Sequence, residues 1–315
     1  MKKPIVVLTG PTAVGKTELS IQLAKVIGGE IISADSMQVY KHMDVGSAKI
    51  TPEEMDGVRH YLVDELEPFD EFHVVKFQEY AQKYLNEIYA HGKIPIIAGG
   101  TGFYIQALLN DIDFTEQESD STYRKELEAL AEEHGNQYLH DRLKEVDPES
   151  AEAIHPNNRK RVIRALEFYQ ETGRKISEHN AKEQMRTSPY NFAYFVLNDE
   201  RSHLYKRIDA RVDKMIEDGL EAEVRRLKEM GCTKDMVAMQ GIGYKEMLSY
   251  LDGGYFFGEA VYIIKRETRH FAKRQITWFK RERDVIWLNK NEFDYKNEAI
   301  LAYMIKILKE KAIIS

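Results

Sequence analysis

Residues 10–17, Gly10-Pro11-Thr12-Ala13-Val14-Gly15-Lys16-Thr17, fit the pattern G-x-x-x-x-G-K-[ST] at every fixed position. Nothing else in the 315 residues constrains the fold as strongly, because the pattern works only between a strand and a helix. Both flanks are present. Pro4-Ile5-Val6-Val7-Leu8 reads as a short buried strand, and Glu18 to Ile27, with apolar Leu19, Ile21, Leu23, Ala24 and Ile27, reads as a helix stopped by Gly28-Gly29. Glycines let several backbone N–H groups and a helix N-terminus converge on one anion, Lys16 adds a charge and Thr17 a hydroxyl for Mg²⁺. An ordinary glycine turn would need neither flank. The loop is therefore expected to hold a phosphate or a diphosphate, and what happens to that group must be read elsewhere.

The alternation continues. Glu30-Ile31-Ile32-Ser33-Ala34 reads as a second strand that delivers Asp35-Ser36 at its carboxyl end, Arg59 to Val63 as a third, and Val74 to Ala90 as an amphipathic helix stopped by Gly92. Ile94-Pro95-Ile96-Ile97-Ala98 follows as a buried strand in which Pro95 is tolerable only near the start, and Gly99-Gly100-Thr101 then opens a helix through Leu109. Strands and helices in this order imply an α/β fold, a P-loop NTPase-like parallel sheet flanked by helices, with ligands at the carboxyl ends of the strands. Three loops are expected to converge there: Gly10–Thr17, Asp35–Ser36 and Gly99–Thr101.

From Asp113 to Ser121 the chain becomes a polar, acidic connector, and from Tyr123 to about Arg186 it is highly charged and helical, with helix starts near Asp147-Pro148 and Asn157-Asn158 and a stop at Gly173. This reads as an inserted all-helical lobe, so the expected organisation is 1–118 core, 119–188 lobe and 189–315 core. Strand texture resumes at Phe192–Leu197. A long helix follows from His203 to Met230 with Gly219 as a break, then a glycine-rich turn at Gln240–Lys245, an amphipathic stretch from Ile264 to Trp278, a last strand at Asp284–Leu288 and a closing helix at Ala299–Leu308.

Net charge is −7, yet Lys265, Arg266, Arg269, Lys273, Arg274, Lys280, Arg281 and Arg283 crowd one stretch against only Glu267 and Glu282. A local basic stripe of this kind suits a polyanion even in an acidic protein. The single cysteine, Cys232, excludes an intramolecular disulfide and a cysteine-based zinc site, and no 18-residue apolar run is present. A cytoplasmic monomer without membrane attachment is the expectation. On these residues alone the loop could serve an ATP-binding small-molecule kinase, a non-catalytic nucleic-acid-binding nucleotide switch, or a transferase that releases pyrophosphate.

The motifs are more specific when taken together. The loop, then Ile32-Ser33-Ala34-Asp35-Ser36-Met37-Gln38-Val39-Tyr40-Lys41 and Met43-Asp44-Val45-Gly46-Ser47-Ala48-Lys49, resembles the tRNA dimethylallyltransferase family. Gly99-Gly100-Thr101, His155-Pro156-Asn157-Asn158, Gly241-Ile242-Gly243-Tyr244 and Lys273-Arg274-Gln275-Ile276-Thr277-Trp278-Phe279 extend the likeness over nearly the whole chain, in order. The resemblance implies transfer of a dimethylallyl group from dimethylallyl diphosphate to N6 of the adenosine just 3′ of the anticodon, with tRNA bound by its anticodon stem-loop and Mg²⁺ as cofactor.

An exocyclic adenine amine is a poor nucleophile, so Asp35 becomes the candidate general base. Lys16, the loop N–H groups and Mg²⁺ held partly by Thr17 would meet the developing charge of the pyrophosphate. The resemblance adds Arg211 as a pyrophosphate clamp and Thr101 as a contact to the target nucleotide. It also assigns tRNA contact to Asp35, Ser36, Met37, Gln38, Arg124, Lys160, Arg161, Val162, Ile163, Arg164, Gln240, Gly241, Ile242, Gly243, Tyr244, Lys245, Lys273 and Arg274. Plainer roles compete: Asp35 as a metal helper, Thr101 as a helix cap, and Arg211 as a surface partner of Asp209 or Asp213.

Overall fold

The seven residues Lys3–Thr9 form strand β1 because they are apolar on both faces, which suits only a strand covered on both sides. In the computed structural model, which describes residues 2–112, 121–184 and 186–315, this strand lies inside a six-stranded sheet. The other strands are β2 (Gly29–Ser33), β3 (His60–Tyr61), β4 (Ile94–Gly99), β5 (Tyr190–Asn198) and β6 (Val285–Asn289). Their order is β3-β2-β4-β1-β5-β6 and every pairing is parallel. Pro95 is the second residue of β4, one place before the ladder with β1 begins at Val6 opposite Ile96, so its missing N–H costs that ladder nothing.

Helices in chain order are α1 (Lys16–Ile27), α2 (Pro52–Met55), α3 (Val74–Ala90), α4 (Gly102–Leu109), α5 (Ser121–His134), α6 (Asn136–Val146), α7 (Pro148–Ala153), α8 (Arg159–Thr172), α9 (Ile176–Gln184), α10 (Arg201–Glu217), α11 (Leu220–Glu229), α12 (Tyr244–Leu251), α13 (Phe257–Phe279) and α14 (Asn297–Glu310). The side chains of β1 alternate between two cores. Ile5 and Val7 face a cluster with Phe77, Leu85, Ile105 and Ile264, whereas Val6 and Leu8 face one with Leu19, Leu23, Ile208 and Met304. Gly219, with φ of 97°, breaks the long helical stretch into α10 and α11.

The chain divides into two units, Met1–Leu109 with Pro189–Ser315, and Asn110–Ser188. Residues 113–120 of the acidic connector, and with them the boundary expected between residues 118 and 119, lie outside the described residues. The described part of the second unit is helical, from α5 to α9, with Leu127, Leu139, Leu143, Val162, Ile163 and Leu166 in its core. Its polar centre is Asp147, the N-cap of α7, only 1% exposed. The carboxyl accepts from the Ser150 N–H (3.1 Å) and Oγ (2.6 Å) and from the Ser177 N–H (3.0 Å) and Oγ (2.7 Å).

Burial pushes the Asp147 carboxyl up, but these four bonds outweigh it and hold the group below its ordinary 3.8. Its contribution is therefore complete above that value and lost as pH falls through the lower folded one. Replacing Asp147 by alanine should speed amide exchange around Ser150 and Ser177 at pH 6, and the difference from the parent should shrink below pH 3. An equal difference at both pH values would refute this linkage.

Candidate active site

Loops from distant parts of the first unit meet at the carboxyl ends of β1, β2 and β4. Gly10 leaves β1 with φ of 146°, and a Cβ there would lie 2.2 Å from the Leu197 carbonyl oxygen, so only glycine fits. Gly15, with φ of 100°, is the N-cap of α1 and places Lys16 and Thr17 in its first turn. Lys16 Nζ donates to the carbonyls of Gly10 (3.0 Å) and Pro11 (2.8 Å). Burial, then the nearby Arg211 charge, push the Lys16 ammonium down to about 7 against the pull of Asp35.

Asp35 lies two residues beyond β2. Its Oδ1 accepts from the N–H of Met37 (2.8 Å) and of Gln38 (3.3 Å), an Asx-type turn that fixes the carboxyl orientation through one oxygen. Arg211 on α10 reaches the carbonyl of Ser47 at 3.5 Å; burial lowers its pKa and Asp35 pulls it back up. Lys16, Asp35 and Arg211 thus share one electrostatic field. The acids that flank Arg211 in sequence are engaged elsewhere: Asp209 pairs with Arg269, and Asp213 with Lys265 at 2.6 Å. That removes the surface ion-pair reading of Arg211.

The third loop owes its glycines to close approach. A Cβ at Gly99 would lie 2.3 Å from the Ala34 carbonyl oxygen, at Gly100 2.3 Å from Gln275 Nε2, and at Gly102 2.2 Å from the Trp278 ring. Thr101 sits between them. Its N–H donates to Ala34 (3.1 Å), and its carbonyl accepts from Tyr104 (3.0 Å) and Ile105 (3.3 Å), so its backbone starts α4. Gln275 on α13 joins two of the loops, accepting from the Thr12 N–H and donating to the Gly100 carbonyl, both at 2.9 Å.

The resulting cleft has a volume of about 530 Å³ and includes Lys16, Thr17, Asp35, Thr101, Arg211 and Arg274 in its wall. Ser36, Met37, Gln38, Gln240, Gly241, Ile242 and Lys245 also line it. Other residues assigned to tRNA contact lie outside the cleft wall. Tyr244 is fully buried, packed on Gly46 and donating to Glu223 Oε1 at 2.8 Å, and Gly243 is the N-cap of α12, so neither lines the cleft. Val162 and Ile163 fill the core of the helical lobe and offer no side-chain surface to RNA. Arg124 is committed to Glu167, its Nε donating at 2.8 Å.

The basic stripe also shrinks. Lys265 and Arg269 tie α13 to α10, and Arg266 pairs with its neighbour Glu267 at 2.9 Å. Lys273 and Arg274 are exposed. Reading the sequence missed Glu223 and Gln275. Each is a polar residue among the buried positions of an amphipathic helix, Glu223 beside Leu220, Val224 and Leu227, and that misfit was the available signal. Among the described residues no group of three or more His, Cys, Asp or Glu is placed to hold a metal ion, and no helix is long and apolar enough to cross a membrane.

Residues 38–282 match the family model described as IPP transferase. The tRNA dimethylallyltransferase of Lachnoclostridium phytofermentans is 63% identical over 313 residues, covering 99% of this chain and 99% of that protein. The full-length tRNA isopentenylpyrophosphate transferase of Bacillus halodurans has a similar structure, with a TM-score of 0.74, 45% identity, and coverage of 99% of this chain and 98% of that one. A eukaryotic dimethylallyltransferase captured acting on tRNA aligns with a TM-score of 0.79 at 32% identity, covering 91% of this chain and 74% of that one.

Proposed function

The chain belongs to the IPP transferase family and is a tRNA prenyltransferase, and from that premise we propose how its cleft works. A dimethylallyl group passes from its diphosphate to N6 of the adenosine 3′ of the anticodon, and pyrophosphate leaves. The observation that carries this reading is the meeting of Lys16, Asp35 and Arg211 in one cleft, since the reaction needs a proton acceptor beside cations that receive a departing anion.

Asp35 takes a proton from the amine, the nitrogen lone pair forms the bond to the allylic carbon, and the carbon–oxygen bonding pair leaves with the diphosphate. The loop N–H groups, Lys16 and Arg211 receive that charge. The residues suit magnesium: Thr17 is exposed in the first turn of α1, and among the described residues no carboxylate cage is present, which fits an ion that keeps several waters and is held largely by substrate oxygens. Once bound, the ion would offset charge on the diphosphate.

The target base must leave its stack to reach Asp35, and single-stranded loops allow this at least cost. Ser36, Met37, Gln38, Thr101, Gln240, Gly241, Ile242 and Lys245 would hold it from the cleft wall, while exposed Lys160 and Arg161, half-buried Arg164, and Lys273 and Arg274 would meet phosphates. A monomer suffices for this chemistry. The test is an anticodon stem-loop carrying inosine in place of the target adenosine. With no exocyclic amine it should take up no prenyl group, and transfer to it would refute the assignment to N6.

Lys16 makes a second result measurable. A diphosphate favours its charged form, so above about pH 7 binding should draw a proton from solution. Calorimetry of dimethylallyl diphosphate at pH 8, in two buffers of different ionisation enthalpy, should show close to one proton taken up, falling towards zero by pH 6. No uptake at pH 8 would mean that Lys16 is already charged before the anion arrives.

A further inference from the structure

The phosphate loop has a back as well as a front. Lys290 directly follows β6 and is only 8% exposed, with Nζ 3.4 Å from the Val14 carbonyl. Among the described residues no carboxylate lies within ion-pair distance of it; Asp199 and Glu18 pull on its charge from farther away, while Arg207 pushes against it. Burial is the larger effect and lowers its pKa. Arg207 on α10 is exposed, and its Nε donates to the Ala13 carbonyl at 2.8 Å. Gly15 sits against both cations: a Cβ there would lie 3.4 Å from Arg207 Nη2 and 3.6 Å from Lys290 Nζ.

A buried ammonium with one long hydrogen bond is costly for stability. Its position suggests what it supplies. In a planar trans peptide the carbonyl of one residue and the N–H of the next point in opposite directions. Holding the Ala13 and Val14 carbonyls therefore turns the N–H groups of Val14 and Gly15 the other way, towards an anion in the loop. We propose that Lys290 and Arg207 are positioning residues for the diphosphate, Lys290 clasping the loop from its buried side and Arg207 from the rim of a hollow that it shares with Lys16, Thr17 and Arg211, so that these two N–H groups are set before the ligand binds. The role rests on the function proposed above, and Lys290, buried behind the loop, fills it without facing the hollow that Lys16, Thr17, Arg207 and Arg211 line.

The test compares Lys290→Met and Arg207→Gln with the parent by calorimetric binding of pyrophosphate with magnesium, by steady-state kinetics and by melting without ligand. Lys290→Met should bind pyrophosphate about ten-fold more weakly, a loss typical of a hydrogen bond to a charged group. KM for the allylic diphosphate should rise alike, with KM for tRNA and kcat within about three-fold. Its unliganded melting temperature should hold or rise because a buried charge is gone, whereas a merely structural lysine would lower it.

Arg207→Gln, at an exposed position, should weaken pyrophosphate binding in the same direction and carries the test should Lys290→Met fail to fold. If the parent binds pyrophosphate and both folded variants bind it equally well, the clasp is refuted while the prenyltransferase reading stands. If the parent itself does not bind pyrophosphate, that reading fails and the clasp falls with it.

Discussion

Replacing Asp35 by asparagine should lower turnover on tRNA by roughly 10²- to 10⁴-fold, the range associated with a positioned general base. Asparagine keeps a side-chain oxygen able to accept the Met37 and Gln38 N–H groups, so the turn survives and folding should be unchanged. What disappears is the proton acceptor. The same change separates this role from metal assistance. Asp35 pulls on both Lys16 and Arg211, and removing its charge makes the cleft more positive. Donor affinity should therefore hold or tighten while kcat collapses. If Asp35 served only to hold the metal, affinity for the diphosphate would fall with kcat; turnover like that of the parent would end the general-base assignment.

The largest effect on stability is expected at Glu223→Ala. Glu223 is 1% exposed and satisfies four donors: the N–H groups of Asp44 (2.8 Å), Val45 (2.8 Å) and Gly46 (3.0 Å), and the Tyr244 hydroxyl (2.8 Å). Alanine leaves all four without their acceptor, which should cost on the order of 3–5 kcal/mol. In a protein of this size that is a fall in melting temperature of about 5–8 °C. Activity should suffer as well, because the released loop includes Ser47, whose carbonyl meets Arg211. Glu223→Gln keeps one acceptor oxygen and should fall between. A melting temperature within 2 °C of the parent for Glu223→Ala would show that water or a shifted loop satisfies these donors.

The sheet and the phosphate loop were legible because their signals are local. A glycine pattern between an apolar strand and an amphipathic helix admits one arrangement, and helix bounds such as Val74–Ala90 and the break at Gly219 followed from periodicity and glycine alone. Asp35 was legible for a related reason, as an acid carried at a strand end in a fold that gathers strand ends. What escaped depends on partners far away in sequence. The stripe Lys265–Arg283 looked free for RNA because nothing local shows that Asp209 and Asp213 neutralise two of its cations.

Tyr244 illustrates the same limit. It stands in a glycine-rich turn that does reach the cleft, yet its own side chain points into the core because Gly46 leaves room for the ring and Glu223 for the hydroxyl. The motif Met43–Lys49 was visible as a string of residues, but its purpose was not. Lys49 Nζ bonds the Tyr40 carbonyl and the carboxyls of Asp44 and Asp64, each at 2.6 Å, while Glu223 holds the backbone from the other side. Those contacts fix the segment whose Gly46, Ser47 and Ala48 form part of the cleft wall.

The most direct measurement is incubation of the purified protein with unmodified tRNA, magnesium and dimethylallyl diphosphate, without ATP, followed by digestion and mass analysis of the nucleosides. The account predicts an adenosine heavier by one dimethylallyl group, in the position 3′ of the anticodon, with an equal amount of pyrophosphate released. Unaltered adenosine from a folded protein and a competent tRNA, or transfer that requires ATP, would contradict it.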